Sequence, residues 1–367
     1  LRSTKALSPR ANVALAPLST LGVGGAAQWF VRAESADDVA AARRWCDEQG
    51  IPWFVLGGGS NVVVADRGFN GLVVQVGIMG TSSARDDEDS LVTAGAGESW
   101  DGLVEMLIAR RLAGLECLSG IPGTVGGTPI QNVGAYGQEV SSAIERVTVY
   151  DCLDHTLRSL GAPECGFAYR TSRFKAADSQ RFVVCDVTFR LRPGPPTTAY
   201  ADVANYLKRA DISNPTVAVV RDAVLSIRRS KGMVVDARDP DSRSVGSFFM
   251  NPVVAASDGD RLASMAGEQP PCFATGEGRV KIPAAWLIER SGFRKGHVDG
   301  AVGISTKHPL ALVNRGGATA ADVLRLASAV KRGVADRFGV WLRPEPIFVG
   351  FQADPDVDFL TSHGPRR

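Results

Sequence analysis

Between the apolar run Trp53-Phe54-Val55-Leu56 and the β-branched run Val62-Val63-Val64 lies Gly57-Gly58-Gly59-Ser60-Asn61, and no other stretch restricts the possible folds as strongly. Glycine admits backbone angles and close approaches that any side chain would block, so successive N–H groups can turn toward one anion. A dinucleotide fingerprint of the Rossmann kind needs a helix after the glycines, and a Walker A loop needs a lysine. Here a strand-like run follows and the segment holds no lysine. Two readings fit: a diphosphate cradle between two strands of an unusual nucleotide-binding fold, or a plain glycine-rich turn.

Composition narrows the class. A chain of 367 residues, 44% hydrophobic and 22% charged, can bury a large core and divide into two or three domains. A formal net charge of +2 argues against an extended basic surface, so no nucleic-acid partner is expected. Arg228-Arg229 and Lys331-Arg332 read as solvated faces or local anion contacts. The six cysteines are scattered without a CxxC pair or zinc spacing, and the four histidines are dispersed. The expectation is a reduced protein that uses its thiols as small core residues and has no metal site. No secretory signal follows Leu1-Arg2-Ser3-Thr4-Lys5, and no run of about 18 apolar residues is present. A cytoplasmic monomer without a membrane partner is therefore expected.

Local signals predict an α+β chain. Ser35, followed by Asp37 and Asp38, reads as the N-cap of a helix that Gly50 and Pro52 stop near Gln49. Strands are predicted over 53–56, 62–65, 72–76, 91–94, 144–150 and 182–192, and helices over 100–111, 201–210, 217–230 and 320–337. Residues 1–11 read as a flexible lead, acidic 81–90 as an exposed hairpin or interdomain turn, and the end beyond 350 as a loose tail.

A second glycine-rich region, Gly120-Ile121-Pro122-Gly123-Thr124-Val125-Gly126-Gly127-Thr128, leads into Pro129-Ile130-Gln131-Asn132-Val133-Gly134-Ala135-Tyr136-Gly137. Large side chains are almost absent. Its amides could approach a flat polar ring and a diphosphate, or its glycines could let two segments cross closely; both readings stand.

Together with Tyr169-Arg170, Gly246-Ser247-Phe248-Phe249-Met250-Asn251-Pro252 and Pro344-Glu345, these segments follow the order seen in the UDP-N-acetylenolpyruvoylglucosamine reductase family, also called UDP-N-acetylmuramate dehydrogenases. The chain resembles that family over about residues 12–350. Its glycine segments also resemble the wider vanillyl-alcohol-oxidase type of flavoprotein, which binds FAD without a Rossmann fold. The resemblance implies an α+β, non-Rossmann FAD-binding fold with α+β subdomains at 12–80 and 81–232. A separate α+β substrate-binding domain at 233–337 and a C-terminal segment at 338–355, returning to the FAD-binding part, are implied as well.

The resemblance further implies FAD held by Leu56, Gly57, Gly58, Gly59, Ser60 and Asn61, and by Gly120, Ile121, Pro122, Gly123, Thr124, Gly126 and Gly127. Gln131, Asn132, Gly134, Ala135, Tyr136 and Gly137 complete that set. No histidine lies near 57–61 or 120–134, so a noncovalent flavin is expected. The implied reaction uses NADPH to reduce FAD, whose N5 passes hydride to the enolpyruvyl double bond of UDP-N-acetylenolpyruvoylglucosamine. Ser247 matches the proton donor. Arg170 and Glu345 match residues that polarise the substrate carboxylate, a task suited to the rigid, permanently charged guanidinium fork. On the residues alone, Ser247 reads as a turn serine, Arg170 as a surface residue and Glu345 as a loop carboxylate.

Tyr169, Tyr200, Lys231 and Asn251 match positions lining the sugar-nucleotide site. Phe273 and His308 also fall at substrate positions, but some members carry tyrosine and glutamine there, so their contacts stay open. The segment Cys165 to Lys175, with Tyr200 and its helix, resembles the loop-bearing first type of the family and implies a lid that closes on substrate.

Overall fold

Capping chemistry sets the limits of the first helix. In the computed structural model, which describes residues 7–364, Ser35 Oγ accepts the Asp38 N–H at 3.1 Å and Gly50 ends the helix Ala36–Gln49 at φ 64°. The left-handed turn is one that glycine adopts without the Cβ penalty. Chain segments then sort into two units. The first comprises residues 7–13, Ala27–Gly59 and Asn70–Val234; the second comprises Ala14–Ala26, Ser60–Phe69 and residues 235–364.

In the first unit a smaller sheet runs Arg10–Ala14, Ala26–Ala33, Phe69–Val76, Trp53–Leu56 in spatial order, with Trp53 opposite Leu72 in a parallel pair. The larger sheet is antiparallel, ordered Thr156–Gly161, Ile144–Asp151, Phe182–Pro193, Asp89–Gly95, Thr81–Asp86. Its acidic edge is a hairpin, as the polar 81–90 stretch suggested, with Thr81–Asp86 exposed throughout. Helix Trp100–Ala109 buries Trp100 against Phe189, and the indole N–H donates to Leu118 O at 3.0 Å. The ring can thus be fully buried without orphaning its polar edge. Helices Ala201–Arg209 and Val217–Ser230 form a smaller cluster in which Val203 and Leu207 pack with Val220, Val224 and Ile227.

The second unit has an antiparallel sheet ordered Ser244–Ser247, Ala311–Asn314, Val302–Ile304, Val298–Asp299. A three-stranded sheet, Val253–Ala255, Arg279–Lys281, Phe273–Gly276, lies in the same unit, and Ile347–Val349 pairs in parallel with Val62–Val64. Helix Ala320–Phe338 starts in a capping box in which Thr319 and Asp322 satisfy each other's backbone N–H groups.

The ends of the chain depart from expectation. Residues 1–6 of the expected flexible lead lie outside the described residues, while Arg10–Ala14 is a strand. The expected loose tail contains helix Pro355–Thr361, which Asp354 caps by accepting the Asp356 and Val357 N–H groups. Lys331 fixes the other end of that helix. Fully buried, it donates to Phe359 O, Leu360 O and Ser362 O at 2.8, 2.7 and 2.8 Å. Lys331-Arg332 is thus half core and half surface, since adjacent helical residues face different directions. Five of the six cysteines are buried, as expected for small core residues; Cys272 is exposed. Among the described residues no helix is long and apolar enough to cross a membrane.

Candidate active site

Gly57 and Gly58 end the strand Trp53–Leu56 and meet the second glycine region head-on. A Cβ on Gly58 would stand 2.7 Å from Gly123 Cα, and one on Gly57 would stand 3.1 Å from Thr124 Oγ1. The two loops therefore cross backbone against backbone. Thr124 Oγ1 is buried yet has no hydrogen-bond partner, whereas buried hydroxyls are normally paired. Beside Gly127 nothing lies within 4 Å of where a Cβ would be. An unpaired hydroxyl and open backbone in one glycine loop are what the polar groups of a flavin nucleotide would fit. Gly126 is small for another reason, since a Cβ there would reach within 2.6 Å of Ala96 Cβ.

An ion pair braces this loop. Gly120 N–H donates to Asp101 Oδ1 at 2.6 Å, and Arg221 grips the same carboxylate at 2.6 and 3.0 Å. Burial alone would raise the Asp101 pKa, but the hydrogen bonds from Arg221 and the Gly120 N–H outweigh it and hold the carboxyl below its ordinary value.

Tyr169 and Arg170 occupy the centre of a tight turn, because Ala168 and Thr171 exchange backbone hydrogen bonds at 3.0 and 3.1 Å. Arg170 takes φ 55°, a left-handed conformation that costs free energy for a residue with a side chain. Neighbouring groups impose it. Arg170 Nη2 donates to Gly134 O at 2.7 Å, and Ser172 Oγ donates to Ile130 O at 2.6 Å. Asn132 Nδ2 donates to Ala168 O at 3.2 Å and to Glu139 at 2.8 Å, while its Oδ1 accepts the Ser141 N–H at 3.2 Å. The buried Asn132 amide is thus engaged with the protein itself, and it locks the Tyr169-Arg170 turn to the Gln131–Gly137 loop. Exposed Tyr169 lies under the Arg170 guanidinium, 5.6 Å from the ring centre.

The same loop contributes Tyr136, which meets Tyr200 edge-on with ring centres 5.5 Å apart. Lys231 Nζ sits 5.6 Å from the Tyr136 ring centre and 2.6 Å from Asp202 Oδ2. Burial lowers the lysine pKa in isolation, but the Asp202 hydrogen bond and charge overcome it and the net shift is upward. Arg228, read from sequence as a solvated or anion-contacting residue, is buried; Nη2 donates to Met233 O at 2.7 Å and Nε has no partner. Arg229, its neighbour, is exposed. Asp101, Arg221, Asp202 and Arg228 were not expected at the site. Only the closeness of Asp202 to Tyr200, and of Arg228 to Lys231, could have signalled two of them in sequence.

Ser247 and Glu345 come together in the second unit. Ser247 pairs with Ala311 at the end of Ser244–Ser247, where Gly246 turns the chain at φ 76°. On one side of this segment Phe248 N–H donates to Leu310 O at 2.8 Å; on the other, Glu345 N–H donates to Phe248 O at 2.9 Å. Met250 N–H then donates to Arg343 O at 2.9 Å. The proton-donor candidate and the carboxylate candidate are therefore on neighbouring hydrogen-bonded segments. The next two residues, Phe248 and Phe249, are buried in the core with ring centres 5.1 Å apart. Asn61 belongs to this arrangement: its O accepts the Ile347 N–H at 3.0 Å and its Nδ2 donates to Glu345 O at 3.3 Å. Ser60 O accepts from Thr20 Oγ1 at 3.5 Å.

The remaining substrate candidates in this unit differ in placement. Asn251 Oδ1 accepts the Ala284 N–H at 2.9 Å and so caps helix Ala284–Arg290. His308 Nδ1 accepts the Leu310 N–H at 3.0 Å, which puts the proton of a neutral ring on Nε2. Phe273 is exposed on the strand Phe273–Gly276. Tyr169, Arg170, Tyr200 and Lys231 all belong to the first unit, Ser247, Asn251, Phe273, His308 and Glu345 to the second.

Comparison with known proteins adds an independent line. A family model described as the C-terminal domain of UDP-N-acetylenolpyruvoylglucosamine reductase matches residues 239–349, and an FAD binding domain model matches residues 27–159. The UDP-N-acetylenolpyruvoylglucosamine reductase of Thermobifida fusca is 52% identical over 348 residues, 92% of this chain and 97% of the relative. That of Salinispora arenicola is 48% identical over 356 residues, covering 95% and 98%. Among solved structures, the UDP-N-acetylenolpyruvylglucosamine reductase from Thermus caldophilus superimposes with a TM-score of 0.63 at 26% identity, covering 93% of this chain and all of that one.

Proposed function

The chain belongs to the UDP-N-acetylenolpyruvoylglucosamine reductase family and reduces that nucleotide sugar with FAD in peptidoglycan-precursor synthesis; from this premise we propose that NADPH is the electron donor and Ser247 the proton donor. Its fold is accordingly the α+β, non-Rossmann FAD-binding type. The same reading takes it to work as a cytoplasmic monomer.

When bound by the two glycine-rich loops, FAD would supply a hydride, derived from NADPH, for the distal carbon of the enolpyruvyl double bond. All else falls to the chain's own residues. The substrate carboxylate, conjugated to that double bond, draws the displaced π pair toward itself as negative charge builds. Arg170 offers two parallel N–H donors to this anion, and its tethered turn fixes the guanidinium in advance. Ser247 gives its hydroxyl proton to the carbon next to the carboxylate and regains one from solvent. Glu345 is assigned to the substrate carboxylate along with Arg170, where in its protonated form it donates a hydrogen bond to the charge that develops.

Lys231 is assigned the substrate diphosphate, with Tyr169 and Tyr200 as an aromatic wall. Asn251, Phe273 and His308 are assigned to the remaining nucleotide-sugar contacts. Leu56 to Asn61, Gly120 to Thr124, Gly126, Gly127, Gln131, Asn132 and Gly134 to Gly137 are assigned to FAD, with Asn132 acting as the brace that shapes its loop. The observation that carries the reading is the Ser247–Glu345 arrangement, which sets a hydroxyl and a carboxylate on adjacent hydrogen-bonded segments next to two buried phenylalanines.

Anaerobic half-reactions test it. NADPH should bleach the visible absorbance of the holoenzyme's flavin, and UDP-N-acetylenolpyruvoylglucosamine should restore it while UDP-N-acetylmuramate accumulates. Failure of NADPH to bleach the flavin would reject it as the electron donor. Bleaching without restoration by the nucleotide sugar would reject the assigned substrate site.

A further inference from the structure

We propose that Asp202 is a latch on the diphosphate site: it holds Lys231 in an internal ion pair that the substrate's diphosphate must displace. The inference rests on the assignment of Lys231 to the diphosphate. Four observations converge on it. Lys231 Nζ and Asp202 Oδ2 are 2.6 Å apart, with each side chain about one-third exposed at 35% and 38%. An incoming phosphate can therefore reach the lysine from solvent. The two residues sit at opposite helix ends: Asp202 in the first turn of Ala201–Arg209 and Lys231 at the C-cap of Val217–Ser230. Each charge is favoured there by the local helix dipole, so the pair is stabilised from both sides.

The third observation is the aromatic setting. Lys231 Nζ lies over Tyr136, Tyr136 packs edge-on against Tyr200, and Tyr200 is the N-cap residue of the helix that carries Asp202. Displacing the carboxylate from the lysine thus releases a tether at the same helix end that presents the tyrosine. Fourth, Tyr200 is 46% exposed although it is a large aromatic residue. Val203 and Leu207 anchor the helix body by packing, so opening the pair releases only the side-chain tether beside this exposed ring, which can then turn toward a ligand on Lys231.

A diphosphate outcompetes the carboxylate because it brings more negative charge and more acceptor oxygens to the same ammonium. The exchange makes Asp202 a positioning residue with an unusual signature, since removing it should improve ligand affinity. A merely structural contact would give the opposite sign.

Isothermal titration of the holoenzyme with UDP reads this directly. Asp202→Ala should tighten UDP binding about two- to fivefold, the range expected for loss of a competing, partly exposed ion pair, and lower the substrate KM by a similar factor without lowering kcat. Lys231→Ala should weaken UDP binding, and adding Asp202→Ala to it should have no further effect. Unchanged or weaker UDP binding by Asp202→Ala, with Lys231→Ala still impaired, would overturn the latch and leave the diphosphate assignment standing. Unimpaired binding by Lys231→Ala would overturn the assignment itself. Retained flavin absorbance in each variant reports an intact fold.

Discussion

Two groups of candidate residues, one in each unit, are held in contrasting ways. The Tyr169-Arg170 turn depends on side chains: Asn132 to Ala168, Arg170 to Gly134 and Ser172 to Ile130. The Ser247–Glu345 region depends on main-chain hydrogen bonds, next to buried phenylalanines. The first arrangement places a charged fork in a costly left-handed turn through several side-chain tethers around one backbone pair. The second should depend more on the packing of Phe248 and Phe249 than on any one polar side chain. In the proposed reaction, charge recognition would rest on side-chain tethers and proton delivery on the main-chain frame of the second unit.

The largest effect expected from this contrast is on stability of the second unit. Phe248→Ala removes the fully buried ring that follows Ser247 in the chain and should cost about 3–5 kcal/mol, seen as a lower midpoint in urea unfolding. A loss below about 1 kcal/mol would mean that the ring contributes little. The turn offers the complementary break. Asn132→Ala leaves Ala168 O, Glu139 and the Ser141 N–H without that partner and should cost about 1–3 kcal/mol. Substrate KM should rise and flavin retention should fall, since Asn132 braces both the Arg170 turn and the Gln131–Gly137 loop. An unchanged KM would detach the turn from substrate recognition.

The smallest effect is a pH dependence confined to the first unit. Asp101 has its folded pKa depressed, chiefly because its hydrogen bonds from Arg221 and Gly120 outweigh its burial. Its contribution to stability is fully present above the unfolded value of about 4 and disappears as pH falls through the lower folded value. Urea midpoints of the protein should therefore fall in acid, and Asp101→Asn should flatten part of that decline. Parallel curves for the two proteins would show that the brace on Gly120 carries no linkage.

Much of the framework was legible because its signals are local. Ser35 and Gly50 delimit the first helix within a few residues of the groups they satisfy. The strand after Gly57–Asn61 correctly excluded a helix-based nucleotide fold. What escaped notice depends on distant partners. Helix Ala284–Arg290 is capped by Asn251, far outside the span a local pattern covers. The crossing of Gly58 and Gly123 explains part of the glycine content by packing, while the unpaired Thr124 hydroxyl points to a ligand. Neither reading alone accounts for the loops. Paired basic residues misled for a geometric reason: Arg228 and Lys331 are buried and their immediate neighbours exposed, because consecutive residues of a helix do not share a face. The motif order supplied the candidate site residues, and the structure supplied the tethers that sequence order cannot express.

The central claim is that Ser247 delivers the proton, and Ser247→Ala studied in separated half-reactions tests it most directly. Flavin reduction by NADPH should proceed at the native rate, while reoxidation by UDP-N-acetylenolpyruvoylglucosamine should slow by about 10²–10⁴-fold. Reoxidation at the native rate would contradict the account.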